Sequence, residues 1–343
     1  EESFSKHRRK ALSEFETGME FLGRLSPATE AFFDRHVATF GKLEAMFPTR
    51  YIDTFSCPYQ AYEAAKAVRT AIDQQQPYSL LRLSDGEGRF LTYPDDLKFL
   101  MRPDQLHIQS IWWGATPLGS EDEVVQRFRR AVDHADAIGI SDWVRLVSQF
   151  RFHGSKKNIY FSAQRGALGA NCYVAERGSE ELWKEKMLLS CIIHHHWESW
   201  GLYEYLFAST KKVSLITCHS ELPQLLQKRF GLRTRLVLKI PPEFCYAGSV
   251  GLHGGTPQYP ERYEEICQEI HVESPGEVFL VGAGFLGKIY CDLIKSQGGI
   301  GLDVGSIVDL WLDHNVRPEM RYQGQRMDES IFHIFDQFDS PEK

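Results

Sequence analysis

Short apolar runs that end in polar, glycine-bearing turns recur along the chain, with helical stretches between them. They centre near residues 79, 107, 137, 158, 214, 236, 278 and 300. That alternation predicts an α/β fold: a Rossmann-like, mostly parallel sheet with helices on both faces. Open sheets of this kind place ligands beyond the carboxyl ends of their strands. The turns after these runs are therefore where chemistry is sought. The 343 residues, 43% of them hydrophobic, suffice for a large core.

The turn after the first run is the most informative. Tyr78, Leu80, Leu81 and Leu83 make an apolar strand that ends in Ser84-Asp85-Gly86-Glu87-Gly88. Asp85 and Glu87 are hard oxygen ligands two residues apart at a strand end, a spacing that can hold one divalent ion beside substrate phosphates. Gly86 lets the backbone turn sharply and approach a ligand. Arg82 and Arg89 flank the turn and can pair with these carboxylates or with phosphate. The plain alternative is an acidic turn with solvated carboxylates.

Near the other end, the run Val278 to Val281 leads into Gly282-Ala283-Gly284-Phe285-Leu286-Gly287-Lys288, and Asp303 ends the next run. A G-x-G-x-x-G turn between strand and helix, with an acidic residue after the following strand, is a dinucleotide-binding pattern. Backbone N–H groups at the helix start, with Lys288 close by, can cradle a diphosphate of a dinucleotide or of a sugar nucleotide. A nicotinamide-dependent oxidoreductase is therefore one reading. Too little chain follows Asp303 to complete the domain that this fingerprint normally opens.

The two turns together resemble the GT-D-fold glycosyltransferases. Arg82-Leu83-Ser84-Asp85-Gly86-Glu87 is similar to that family's Asp-x-Glu signature, and Asp303-Val304-Gly305 with Asp309 is similar to its closing block. Where the family carries a histidine after that glycine, this chain has Ser306. The resemblance implies a GT-D-like domain over residues 55–322, a helical segment over 1–54 and a tail over 323–343. It also implies a divalent ion, Mn²⁺ or Mg²⁺, held by Asp85 and Glu87. The co-substrate would be a nucleotide-sugar and the acceptor a glycan or lipid-linked glycan, often of bacterial surfaces. Arg82, Gly86, Gly282, Gly284, Lys288 and Asp303 would contact or support the donor. An inverting reaction needs a base for the acceptor hydroxyl, for which Glu87, Asp142 and Glu221 are the candidates. A non-catalytic protein of the same fold is the third reading.

Other stretches carry weaker signals. Asp142 closes a strand-like run and can equally cap a helix. His219-Ser220-Glu221 follows another run, with His219 and Glu221 as candidates for nucleotide contact or general base, Ser220 as the expected N-cap and Gly231 as the C-cap of the helix that follows. Residues 180–207 read as one helix, on which His194-His195-His196 cannot all face one ion. Trp112-Trp113 ends a stretch read as extended, as core and rim or as a platform for a ring. Gln164 to Asn171 reads as a polar stretch opening toward the cleft. The glycine-rich loop from 243 to 260, with His253, is long enough to suggest a lid. In the N-terminal segment, Ser26-Pro27 breaks a helical stripe, with Pro27 at a helix start.

Net charge of −7 argues against bulk binding to nucleic acid or to an anionic membrane surface. Seven cysteines without a C-x-x-C pair read as reduced thiols. No run has the length of a membrane-spanning helix and no leader pattern opens the sequence. The expectation is a cytoplasmic protein, with peripheral docking at the inner membrane face for a lipid-linked acceptor, and with fusion to or complex with other transferase modules left open.

Overall fold

The fold was analysed in a computed structural model that describes residues 27–46, 58–93, 95–113, 121–141, 162–243 and 257–313. In chain order the elements are α1 (Pro27–Met46), α2 (Pro58–Asp73), β1 (Tyr78–Arg82) and α3 (Asp85–Gly88). Next come α4 (Lys98–Trp113), α5 (Glu121–His134), β2 (Ala137–Ile140), α6 (Ser162–Arg177) and β3 (Met187–Ser190). They continue with α7 (Ile193–Ser199), α8 (Leu202–Phe207), β4 (Lys212–Thr217), α9 (Leu222–Phe230) and β5 (Arg233–Lys239). The last are α10 (Tyr263–Glu269), β6 (Val278–Val281), α11 (Gly284–Ser296), β7 (Ile300–Asp303) and α12 (Ile307–Trp311).

The seven strands form one sheet in the order β3-β2-β1-β7-β6-β4-β5, and all pairs are parallel. Side chains alternate across each strand, so both faces bury apolar groups. In β6, Phe279 and Val281 join a core with Phe128 of α5 and Phe285 and Ile289 of α11. Val278 and Leu280 join the opposite core, with Ala65 of α2, Trp197 of α7 and Leu226 of α9. This is the Rossmann-like parallel sheet that the alternation predicts, with helices covering both faces. α1 begins at Pro27 as expected and packs Phe32 and Phe33 against Tyr93, Leu97 and Leu168. No helix among the described residues is long and apolar enough to cross a membrane.

The strand expected near residue 107 is instead part of α4. Asp104, Ile108 and Trp112 are buried in it four residues apart, with Gln109 beside them on the same face, which is helical spacing. The single helix expected over 180–207 is interrupted by β3, whose Leu188, Leu189 and Ser190 are buried. A short, fully buried strand has no period to set it apart from a helix. The polar stretch Gln164 to Asn171 lies within α6. Its glycines serve packing: a Cβ on Gly166 would collide with the Asp85 carbonyl, and one on Gly88 with the Gly166 carbonyl. α6 thus lies backbone to backbone against the Asp-Gly-Glu-Gly turn. The run near 158, the loop over 244–256 with His253, and Asp142 lie outside the described residues, as do the segments 1–26 and 323–343.

Candidate functional site

The sheet order leaves a crevice at the carboxyl ends of the strands. After β4 the chain goes outward to β5, whereas after β6 it turns inward to β7. Ligands of open α/β sheets bind where such connections diverge. Here a cleft of about 420 Å³ runs from the β1 turn to the loop after β4, lined among others by Asp85, Trp112, His219, Glu243, Gly284 and Asp309. That volume falls in the range of small-ligand sites.

Glu87 builds the β1 turn. The Ser84 N–H and hydroxyl both donate to Glu87 Oε2, at 3.1 and 2.7 Å, which is one half of a capping box at the start of α3. The other oxygen, Oε1, accepts from the Lys288 ammonium at 2.6 Å. Burial alone would raise this carboxyl; Lys288 and Ser84 override it and hold it at about 2. Both oxygens are therefore engaged, and Glu87 is only 5% exposed. Asp85 is placed differently. Its side chain is 31% exposed and lies 3.8 Å from Arg89 Nη2, facing the cleft. Gly86 packs under Trp112, where a Cβ would come within 2.5 Å of the ring. Trp112 itself stacks on Phe285, 5.4 Å between centroids, and is largely core.

Lys288 and Asp303 meet beneath the turn. The Lys288 ammonium lies 3.0 Å from Asp303 Oδ2 and donates to the Gly284 carbonyl at 2.9 Å. Burial would lower this ammonium; the Asp303 and Glu87 carboxylates hold it up. Asp303 Oδ1 accepts from Arg82 Nη2 at 3.1 Å, and its Oδ2 from the Arg82 backbone N–H at 3.2 Å. Arg82 also donates to the Cys191 carbonyl at 3.0 Å and lies 3.1 Å from the His194 ring. Two cations and two carboxylates from β1, its turn, α11 and β7 thus form one buried, charge-balanced cluster. Lys288, expected beside a ligand diphosphate, points down into this cluster.

The G-x-G-x-x-G turn opens α11 as predicted. Gly284 has a φ of +51°, and a Cβ there would come within 2.5 Å of Glu243 Oε1. A carboxylate of the chain itself therefore stands before the amino end of α11. Gly282 donates its N–H to the Ile216 carbonyl at 2.8 Å, which ties the turn to β4. Gly287 provides close helix–strand packing, since a Cβ would meet Val281 Cγ1 at 3.1 Å.

The loop after β4 carries His219, whose Nε2 lies 2.9 Å from Asp309 Oδ1 of α12. Burial would lower the imidazole; hydrogen bonds to Asp309 and Cys218 outweigh it and push the pKa up to about 10. Glu221 is exposed, occupies the N-cap position expected for Ser220, and is not part of the cleft lining. Gly231 is the C-cap as expected. His194, His195 and His196 are all buried; His195 Nε2 faces Ser306 Oγ at 3.4 Å, and burial pushes His196 down to about 3. No group of three or more His, Cys, Asp or Glu suited to a metal occurs among the described residues.

Across the lining, Arg82 and Lys288 are matched by Asp303 and Glu87, Arg89 by Asp85 and His219 by Asp309. Glu243 adds a further carboxylate. Among the described residues of the lining, a polyanionic ligand meets no surplus of positive charge. The Ser84-x-x-Glu87 pattern could have announced the cap. Nothing local announces the His219–Asp309 pair, because its members come from turns far apart in sequence.

The fold and cleft define an α/β protein of Rossmann-like architecture with a cleft at a topological switch point. Against family models, curated proteins and solved structures, the chain gives no match.

Proposed function

We propose that the chain is a metal-dependent glycosyltransferase that moves a sugar from a nucleotide-sugar donor to a hydroxyl of a glycan acceptor. The acceptor would be of the bacterial surface-polysaccharide or glycoprotein kind that the Asp-Gly-Glu resemblance implies. One observation carries the reading. Asp85 stands partly exposed in a cleft whose basic side chains, among the described residues, are each matched by a carboxylate. A diphosphate entering such a cleft needs a cation to come with it.

Mg²⁺-type ions keep several waters and bind through one or two carboxylates plus substrate phosphates. Asp85 fits that use. The engaged oxygens of Glu87 leave it to set the turn. When bound, the ion neutralises charge on the leaving diphosphate. In the transfer, the acceptor oxygen bonds to the anomeric carbon, the bond from that carbon to the diphosphate oxygen breaks, and the diphosphate keeps the electron pair. The acceptor proton passes to a base or to solvent. Glu87, held at about 2, is a poor proton acceptor, and exposed Glu221 stands outside the cleft lining.

The nicotinamide reading loses support at Asp303. Binding a ribose would require a carboxylate that already serves Arg82 and Lys288.

A thermal-shift panel of UDP-, GDP-, dTDP- and CMP-linked sugars with and without Mn²⁺, plus NAD and NADP, tests the proposal. Ligands of the native state raise its melting temperature. A manganese-dependent shift with one nucleotide-sugar class is expected. A metal-independent shift with NAD or NADP alone would overturn the transferase reading.

A further inference from the structure

We infer that His219, fixed by Asp309, is a contact for the donor's phosphate groups on the side of the cleft away from Asp85. This rests on the transferase reading and adds a second charge contact to the same site. β1 and β4 lie three strands apart in the sheet, about 14 Å between axes. Asp309, on the helix after β7, draws His219 back toward the β1 end. A diphosphate carried by an ion on Asp85 would thus have its far oxygens facing the loop after β4.

The chemistry of the pair suits this place. His219 is 6% exposed yet lines the cleft. Its Nε2–H donates to Asp309, whose carboxylate favours the imidazolium. The neighbouring Cys218 side chain also favours the imidazolium, and sulfur is a weak acceptor that offers little competition to a phosphate oxygen. A charge-assisted N–H···O bond to phosphate is among the stronger polar contacts. Unlike Arg82 and Lys288, which are bound into the buried cluster, His219 pairs with a carboxylate that is itself 20% exposed. The charged and titratable groups sharing the cleft with it among the described residues are Asp309 on α12, Cys218 on its own loop, Glu243 beyond β5, Arg82, Asp85, Glu87 and Arg89 at the β1 end, Cys191 after β3, His194 on α7 and Lys288 on α11. Asp309 is a positioning residue: it acts on the ligand through the ring.

The test is titration calorimetry of wild type, His219→Gln and Asp309→Asn with UDP, GDP, dTDP and inorganic pyrophosphate in Mg²⁺. His219→Gln is expected to lose at least about tenfold in affinity for the diphosphate that wild type binds, in line with a hydrogen bond to a charged group, with no change for the matching nucleoside. Asp309→Asn supplies a readout that a structural role would not move. Wild type keeps its imidazolium through pH 9, whereas the variant ring returns toward its ordinary range. The variant-to-wild-type affinity ratio should therefore fall steeply between pH 5 and 8, with the ligand's own titration cancelling. Unchanged affinity in a folded His219→Gln protein, or a pH-independent ratio for Asp309→Asn, overturns the inference and leaves the transferase reading standing. Wild type that binds none of these diphosphates overturns the inference, and overturns the transferase reading too where no nucleotide-sugar, CMP-linked ones included, gives a manganese-dependent thermal shift.

Discussion

The Lys288 ammonium lies 2.6 Å from Glu87 Oε1, which ties the first turn of the sheet to the helix after β6. Both side chains are buried, and Asp303 lies on the far side of the ammonium at 3.0 Å. Removing one partner of a buried pair leaves a charge without its match and costs about 3–5 kcal/mol. Lys288→Met is therefore expected to lower unfolding free energy in urea by about that much. The double variant with Glu87→Gln should recover part of the loss. Equal stability of the single variant and wild type would contradict the cluster.

Asp85 and Glu87 have opposite expected signatures despite their spacing. Asp85→Asn touches a partly exposed side chain beside Arg89, so its stability should stay within about 0.5 kcal/mol of wild type. The same variant should lose the manganese-dependent thermal shift with nucleotide-sugars. Glu87→Gln should lower the melting temperature first, and weaken ligand binding only as far as the turn moves. A variant pair with the reverse pattern would make Glu87 the ion ligand.

What the sequence made legible follows the physics of each element. The run Val278 to Val281 with its glycine turn is unmistakable because strand, turn and helix each leave a local mark. β3 leaves none: Leu188 and Leu189 face opposite cores, and a strand buried on both sides reads like a helix segment. At the site, Asp85 and the Gly282–Gly284 turn were visible as residue types at a strand end. The partners of Arg82 were not, since Asp303 and Cys191 reach it only through the adjacency of β1 to β7 and the approach of the loop after β3.

Two glycines separate packing from conformation. Gly88→Ala would drive a methyl into the Gly166 carbonyl of α6, so the turn or α6 must shift. Its expected effect is a large loss of stability, of the class produced by overpacking, about 1–3 kcal/mol or more. Gly41 lies inside α1 with nothing within 4 Å of its would-be Cβ. Gly41→Ala should stabilise by up to about 1 kcal/mol, the helix-propensity difference. Thermal melts of both variants check the contrast.

Stability should depend on pH in two windows of opposite sense. Glu87 has its pKa depressed from 4.5 to about 2 in the folded protein. Its contribution is complete above pH 4.5 and is lost as pH falls toward 2, on the order of 3 kcal/mol by linkage. His219 has its pKa raised from 6.5 to about 10. Its contribution is complete below pH 6.5 and is lost as pH rises through 10. Subtracting variant from wild-type melting curves isolates each group. The gap to Glu87→Gln should shrink from pH 4.5 to 2, and the gap to His219→Gln from pH 6.5 to 10. A His219 gap that stays level across the alkaline range would mean that Asp309 does not hold the ring charged.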